Sequence, residues 1–320
     1  MDATSASITL EDVGKVYPDG TAAVSGFSLE VRAGELTVLI GPSGSGKSTI
    51  LRMINRLIEP TSGQILIDGR DVLKQDPVEL RRQIGYVIQN VGLFPHHNVR
   101  TNVGTVPRLL GWDRKRTEAR ADELLDLVGL DPARYAKRYP HELSGGQRQR
   151  VGVARALAAD PLVLLMDEPF SAVDPIVRAR LQEEFLRLQA SVRKTIVLVT
   201  HDIDEAVRMG DRIAVLAEGG KLLQFAPPAE LLSRPASPEV RDFVGADRGI
   251  RRLAVTPVRD VMSPYDGPTD GLPTVEATAS LHDALAVMLT DDSETVVVVE
   301  NGRPVGSVTR AAVFQVPATV

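Results

Sequence analysis

The sequence predicts an α/β fold: a mainly parallel sheet covered by helices, with antiparallel strands at its start, a helical block inserted midway and a small α+β unit at its end. Three observations predict it. Short apolar runs (Leu36–Ile40, Ile84–Ile88, Leu162–Met166, Thr195–Thr200 and Arg212–Ala217) alternate with helix-like segments, the pattern of strands buried on both faces. A glycine-rich stretch, Gly41 to Thr49, joins the first of these runs to a helical one. From Arg251 onward the order becomes strand, helix, strand, strand, short helix.

Taken in order, Ser7–Thr9 and Phe27–Val31 alternate apolar and polar side chains, as half-solvated antiparallel strands do. Leu36–Ile40 is a short apolar run that ends in glycine. Helical periodicity runs from Ser48 to Leu57 and stops near Pro60. Thr61-Ser62-Gly63 then turns the chain into Gln64–Ile67, and Asp68-Gly69 has hairpin-turn chemistry. Between Val91 and Asp160 the pattern is mostly helical, with Ala119–Val128 amphipathic and Gly129 a stop signal. Pro175–Ser191 and Ile203–Met209 are the helices between the later strands. Pro235, Pro238 and Gly245 interrupt a polar stretch from Leu231 to Asp247, which places a boundary there. The expected domains are residues 1–245, with a helical subdomain at about 91–160, and residues 246–320. In the second, Leu281–Leu289 is helical, and Val296–Val299 and Val305–Thr309 form a hairpin around Asn301-Gly302.

Composition excludes several classes of function. A net charge of -5 gives no global reason to expect nucleic-acid binding. There is no cysteine, so disulfides, thiolate zinc sites and cysteine nucleophiles are ruled out. The first ten residues carry Asp2 and lack the apolar stretch of a signal peptide. The longest apolar runs fall far short of the ~20 residues that span a bilayer. These features predict a soluble chain, so that any membrane role must come through a partner that spans.

Three motifs carry chemistry. Gly41-Pro42-Ser43-Gly44-Ser45-Gly46-Lys47-Ser48-Thr49 has phosphate-loop spacing between a strand and a helix. Its glycines let backbone N–H groups curl round phosphate oxygens, and the helix aims its positive dipole end at them. Lys47 supplies a charge for the β- and γ-phosphates of ATP, and the Ser48 hydroxyl suits a Mg²⁺ ligand. An ordinary glycine-rich loop is the bland alternative, and the strand–loop–helix setting argues against it. Next, Leu162 to Met166 delivers Asp167 and Glu168 at a strand end. Alone this would read as an acidic helix cap. Beside a phosphate loop, Asp167 suits the magnesium shell and Glu168 the general base for an attacking water. Third, Leu143-Ser144-Gly145-Gly146-Gln147 forms a second anion-binding helix start, 23 residues before Asp167.

Together these resemble the ATP-binding cassette (ABC) family of P-loop NTPases, with the third motif similar to its signature sequence. The resemblance covers roughly Ile8 to Gly245 and implies a RecA-like core with antiparallel β and helical subdomains. It further implies that Ser144, Gly145 and Gly146 of one copy face the γ-phosphate in the other copy's P-loop. Gln89 resembles the Q-loop glutamine that senses Mg²⁺ and the water. Ser171-Ala172-Val173-Asp174 resembles the D-loop, which crosses the dimer interface. His201 is similar to the switch histidine, and Tyr17 to the aromatic residue that stacks on adenine. Read singly, Gln89 is a surface polar residue, His201 a neighbour of a helix cap and Tyr17 a core aromatic. All of the set is present, which implies a hydrolysing cassette that works as a homodimer.

Two features narrow the resemblance. Ile84 to His96, then Asn102-Val103, Val106-Pro107 and Gly111-Trp112, look like importers of quaternary amines such as glycine betaine, choline and carnitine. There this region grips a coupling helix of the membrane permease, for which Val91, Leu93 and Phe94 are suited; core packing is the alternative. The relatives' cargo comes from a substrate-binding protein, and their ATPase lies at the cytoplasmic face of the membrane. The tail, with Val258 to Pro264, Leu281–Leu289 and Gly306-Ser307-Val308-Thr309, resembles one cystathionine β-synthase (CBS) repeat. That resemblance implies pairing with the copy on a second subunit. From Arg251 the tail carries five bases against nine acids, a poor match for docking on anionic lipid, and Ala312 stands where ribose-binding repeats usually have Asp. Dimer bracing and regulation both stay open. Rival readings are an importer of methionine, polyamine or another small solute, a non-transport ABC ATPase acting on ribosomes or DNA, and a nucleotide-sensing module.

Overall fold

The computed structural model describes residues 5–315 except Asn90, Ala172, Asp266, Pro268 and Asp270. Contacts divide the chain into two compact units. One holds the residues up to Asp202 together with Ala214–Leu223; the other holds Ile203–Ile213 and the residues from Gln224 onward.

In the first unit, strands β1 (Ile8–Val16) and β2 (Ala22–Val31) pair antiparallel, and Phe27, Leu29 and Val31 bury alternate positions of β2. The strand β3 (Leu36–Ile40) is buried at all five positions. Helix α1 (Lys47–Ile54) comes after the glycine-rich loop, and β4 (Ser62–Ile67) turns through Asp68-Gly69 into β5 (Arg70–Asp71). Both turn residues have positive φ, 50° and 71°, as a two-residue hairpin of this hand requires. Helix α2 (Pro77–Arg82) leads to β6 (Ile84–Val87). Helices α3 (Val99–Val103), α4 (Thr105–Leu109), α5 (Arg114–Leu127), α6 (Pro132–Tyr135) and α7 (Gly145–Leu157) then intervene before β7 (Val163–Asp167). No strand is assigned among the described residues of that interval.

Helix α8 (Pro175–Val192), strand β8 (Thr195–Thr200), helix α9 (Ile203–Met209) and strands β9 (Arg212–Leu216) and β10 (Leu222–Ala226) come next. The six-stranded sheet runs β10-β9-β3-β8-β7-β6. Its register positions the chemistry. Parallel pairing aligns Ile40 with Thr200, Asp167 with Val199 and Val87 with Met166. Four strands therefore end along one edge, and the loop leaving each of them is a candidate for the site. The buried β3, β7 and β8 read as continuous apolar runs because helices cover both faces; each fully buried Leu, Ile or Val contributes roughly 1.5–3 kcal/mol.

The second unit contains helices that the sequence reading did not place: α10 (Pro228–Ser233), α11 (Pro238–Val244) and α12 (Arg248–Val255). Pro228 and Pro238 sit in the first turn of their helices, where a missing N–H costs nothing. Arg251 ties this region together. Its guanidinium donates to Asp204 on α9 at 2.5 Å, to the Val244 carbonyl at 2.6 Å and to Asp247 at 2.6 Å. Strand β11 (Thr274–Glu276), helix α13 (Leu281–Thr290), strands β12 (Thr295–Glu300) and β13 (Arg303–Thr309) and helix α14 (Arg310–Phe314) complete the tail in the expected order. β12 pairs parallel with β11 and antiparallel with β13, across a hairpin in which Asn301 and Gly302 are left-handed, with φ of 51° and 75°. Leu253 of α12 joins Val258, Leu281, Met288, Val296, Val298 and Val308 in one core.

Candidate nucleotide site

The glycine-rich loop is shaped by contacts that exclude a side chain. A Cβ on Gly41 would lie 2.3 Å from the Leu216 carbonyl oxygen, and one on Gly46 would lie 2.6 Å from that of Ala23. Gly44 and Gly46 have φ of 82° and 81°, and Gly46 opens α1 without a side-chain cap, leaving first-turn N–H groups free for an anion. Ser43 and Gly44 are exposed, Ser45 is fully buried, and Thr49 is half-buried on α1. The Lys47 ammonium folds back on the loop, donating to the Gly41 carbonyl at 2.8 Å, the Pro42 carbonyl at 2.7 Å and the Ser45 hydroxyl at 3.1 Å. Burial pushes Lys47 below its ordinary pKa, against the opposing pull of Glu168 and Asp167.

Asp167 ends β7 and accepts a hydrogen bond from the Ser48 hydroxyl at 2.8 Å. Burial pushes its carboxyl above the ordinary range, while Ser48, Arg52 and Lys47 pull it down. Glu168 comes next in a left-handed conformation, φ 45°, which is uncommon for a non-glycine residue and turns the chain off the strand. Its amide donates to the Val199 carbonyl at 2.9 Å. One carboxylate oxygen accepts from Gln89 Nε2 at 3.1 Å, and the other lies 3.2 Å from His201 Nδ1. The structure thus brings Lys47, Ser48, Asp167, Glu168, Gln89 and His201 to one sheet edge. A basic loop, a hydroxyl–carboxylate pair and a carboxylate held between an amide and an imidazole can bind a polyphosphate and activate water.

Three expected elements stand apart: the signature residues Ser144 to Gly146, Asp174 and Tyr17. Ser144 caps α7: its hydroxyl accepts from the Gln147 amide at 3.2 Å, and Gln147 Oε1 accepts from the Ser144 amide at 2.9 Å. Ser144 and Gly145 are exposed, and Gly146 faces Val177 of α8. Asp174 caps α8, accepting from the Ile176 amide at 3.0 Å. Tyr17 lies just past β1, with the Lys15 ammonium 5.5 Å from its ring centroid. Among the described residues, no hydrogen bond or ion pair in the structure joins these three to the P-loop.

An ABC transporter family model matches residues 24–171, and a CBS domain model matches residues 258–318. The osmoprotectant import ATP-binding protein OsmV of Salmonella typhimurium is 52% identical over 291 residues, covering 90% of this chain and 74% of that protein. The glycine betaine/carnitine/choline transport ATP-binding protein OpuCA of Bacillus subtilis is 54% identical over 244 residues, covering 76% of this chain and 64% of that protein. The choline transport ATP-binding protein OpuBA of the same organism is 48% identical over 298 residues, covering 92% and 76%. The chain belongs to the ABC transporter family, as an ATP-binding subunit. Among solved structures, the dimeric post-hydrolysis cassette MJ0796 bound to ADP and Pi is 35% identical, with a TM-score of 0.62 over 69% of this chain and 98% of that one.

Within this ABC subunit, two residues beside Asp167 escaped the sequence reading. Arg52 bears on the Asp167 carboxyl and bonds Tyr86, whose hydroxyl is pushed above its ordinary pKa by burial first and Asp167 second. A signal existed for both. Arg52 is one helical turn after Ser48, and Tyr86 is on β6, paired with Leu165 of β7. Asn102 on α3, noted in the sequence only as part of a family likeness, is fully buried. It accepts from the Phe94 amide at 2.7 Å and donates to the Phe94, His97 and Asn98 carbonyls, fixing the shape of the segment after the Q-loop.

Proposed function

We propose that this chain hydrolyses ATP to drive import of a quaternary-amine osmoprotectant of the glycine betaine, choline or carnitine type. The observation that carries the hydrolysis is Glu168 held between Gln89 and His201, next to the Ser48–Asp167 pair. In this reading Lys47 and the loop amides hold the phosphates, Glu168 takes the proton of the attacking water, and His201 and Gln89 orient that water and the γ-phosphate. Tyr17 stacks on adenine. The residues suit Mg²⁺, because Ser48 and Asp167 converge as hard oxygen donors 2.8 Å apart and burial penalises the charge of the carboxylate. Gln89 would add its amide oxygen. When bound there, Mg²⁺ neutralises phosphate charge.

Exposed Ser144 and Gly145 at the signature support a homodimer in which each copy closes the other's site, with Asp174 at the crossing. Exposed Leu289 on α13 and Phe314 on α14 support pairing of the tail with its copy. No helix among the described residues is long and apolar enough to cross a membrane. The reading therefore places the dimer on permease subunits at the cytoplasmic face, gripped at the segment from Val91 to Phe94, with cargo delivered by a substrate-binding protein. Cargo rests on the likeness to OsmV, OpuCA and OpuBA, which are named for transport of these solutes.

The test is reconstitution in liposomes with permease subunits and a binding protein of the quaternary-amine importer type. Binding protein loaded with a quaternary amine should raise phosphate release and drive its uptake. Stimulation by methionine or a polyamine alone would overturn the cargo. Phosphate release equal to that of Lys47→Ala would overturn the hydrolysis.

A further inference from the structure

We infer that Arg178 is a positioning residue for hydrolysis, which clamps the turn entering α8 to the loop that carries His201. The inference rests on the assignment of Glu168 and His201 to hydrolysis. Arg178 lies in the first turn of α8, where its amide donates to the Asp174 carbonyl at 2.8 Å. Its guanidinium reaches out of the helix in two directions. Nη2 donates to the Val173 carbonyl at 3.1 Å, and Nη1 forms an ion pair with Asp202 at 3.5 Å. Asp202 directly follows His201, and its own amide donates to the Thr200 hydroxyl at 3.1 Å.

These contacts close a circuit that begins and ends at Glu168. The Ser171 hydroxyl donates to the Glu168 carbonyl at 3.0 Å, starting the turn that reaches Val173. Arg178 links Val173 to Asp202, and His201, the neighbour of Asp202, returns to the Glu168 carboxylate at 3.2 Å. The guanidinium thus bonds the turn at Val173 to the loop at Asp202. A planar fork suits that task, since it fixes two acceptors in one geometry.

Arg178 Nε is buried and has no hydrogen-bond partner among the described residues. The Asp202 contact is also long for an ion pair, so the guanidinium is held by the Val173 carbonyl and only loosely by the carboxylate. Movement of the turn at Val173, which precedes the cap of α8, is then passed through Arg178 to Asp202 and His201. The turn belongs to the segment proposed above to cross the dimer interface. Arg178 therefore ties formation of that interface to placement of His201 on Glu168.

The test uses the reconstituted transporter carrying Arg178→Ala, Asp202→Ala, both together, Arg178→Lys, and His201→Ala. Loss of alignment should lower kcat about 10- to 100-fold in each of the first two. KM for ATP should stay within about twofold, and Tm should stay near the parent value. The double variant should be no slower than the worse single one, and Arg178→Lys should fall between parent and Arg178→Ala. An Arg178→Ala kcat within about twofold of the parent overturns the inference. So do losses that multiply in the double variant, or a loss that tracks a fall in Tm and recovers on cooling. His201→Ala separates the two levels. If it leaves turnover intact, the assignment of the site falls; if it abolishes turnover while Arg178→Ala does not, the site stands and the clamp alone falls.

Discussion

Glu168→Gln removes the proposed base while keeping its shape. In the structure the Glu168 carboxylate accepts from Gln89 at 3.1 Å and lies 3.2 Å from His201 Nδ1. An amide at this position keeps an oxygen for Gln89 and turns its NH₂ toward His201 Nδ1. The exchange of a charged for a neutral acceptor costs about 1 kcal/mol of stability, so Tm should move by no more than about 4 °C. The chemistry loses much more. A positioned general base contributes about 10²- to 10⁴-fold, and each factor of ten is about 1.4 kcal/mol, so the barrier rises by about 3–5 kcal/mol. Phosphate release by the reconstituted transporter should fall by that factor. The purified chain, mixed with ATP, should elute as a stable dimer by size-exclusion chromatography with light scattering. Turnover within about tenfold of the parent would refute the assignment of Glu168 as base.

Buried polar groups give two more expected outcomes. Burial holds the Asp167 carboxyl above its unfolded value, so its ionisation costs stability at neutral pH, and the penalty fades as pH falls to where the folded group takes up its proton. Asp167→Asn should therefore raise the Tm of the nucleotide-free chain at pH 7 but not at pH 3.5, while Mg²⁺-dependent hydrolysis falls about 10²-fold or more; an unchanged or lower Tm at pH 7 would contradict this. Asn102→Ala strips four hydrogen bonds from the segment between Phe94 and Asn98. It should cost about 2–4 kcal/mol by urea unfolding and speed amide hydrogen exchange at residues 94–98, with unchanged exchange the contrary result.

Much of the nucleotide site was legible before folding because its requirements are local. Gly41, Gly44 and Gly46 stand where backbone conformation and close approach admit no side chain, and Lys47 and Ser48 come at fixed offsets after them. The buried strands β3, β7 and β8 announced themselves as apolar runs. Both two-residue hairpins were marked by a short polar residue and glycine, Asp68-Gly69 and Asn301-Gly302. The helices α10 to α12 were not legible. Pro228 and Pro238 begin helices rather than end them, and α12 is placed by Leu253 burying among tail residues and by Arg251 bonding Asp204, both distant in sequence.

The buried strands and the helices between them, the P-loop chemistry and the identity of the acidic pair were thus written in the linear chain. Those depend on period, on side-chain-free glycine positions and on residues adjacent in the chain. Which of the separated residues meet is a matter of tertiary structure. Parallel register aligns Ile40, Asp167, Thr200 and Val87 at one edge, and so sets Ser48 on Asp167 and both Gln89 and His201 on Glu168. Folding also joined Val173 to Asp202 through Arg178. Contacts across such sequence separations depend on strand register and core packing, and a one-dimensional pattern does not encode them.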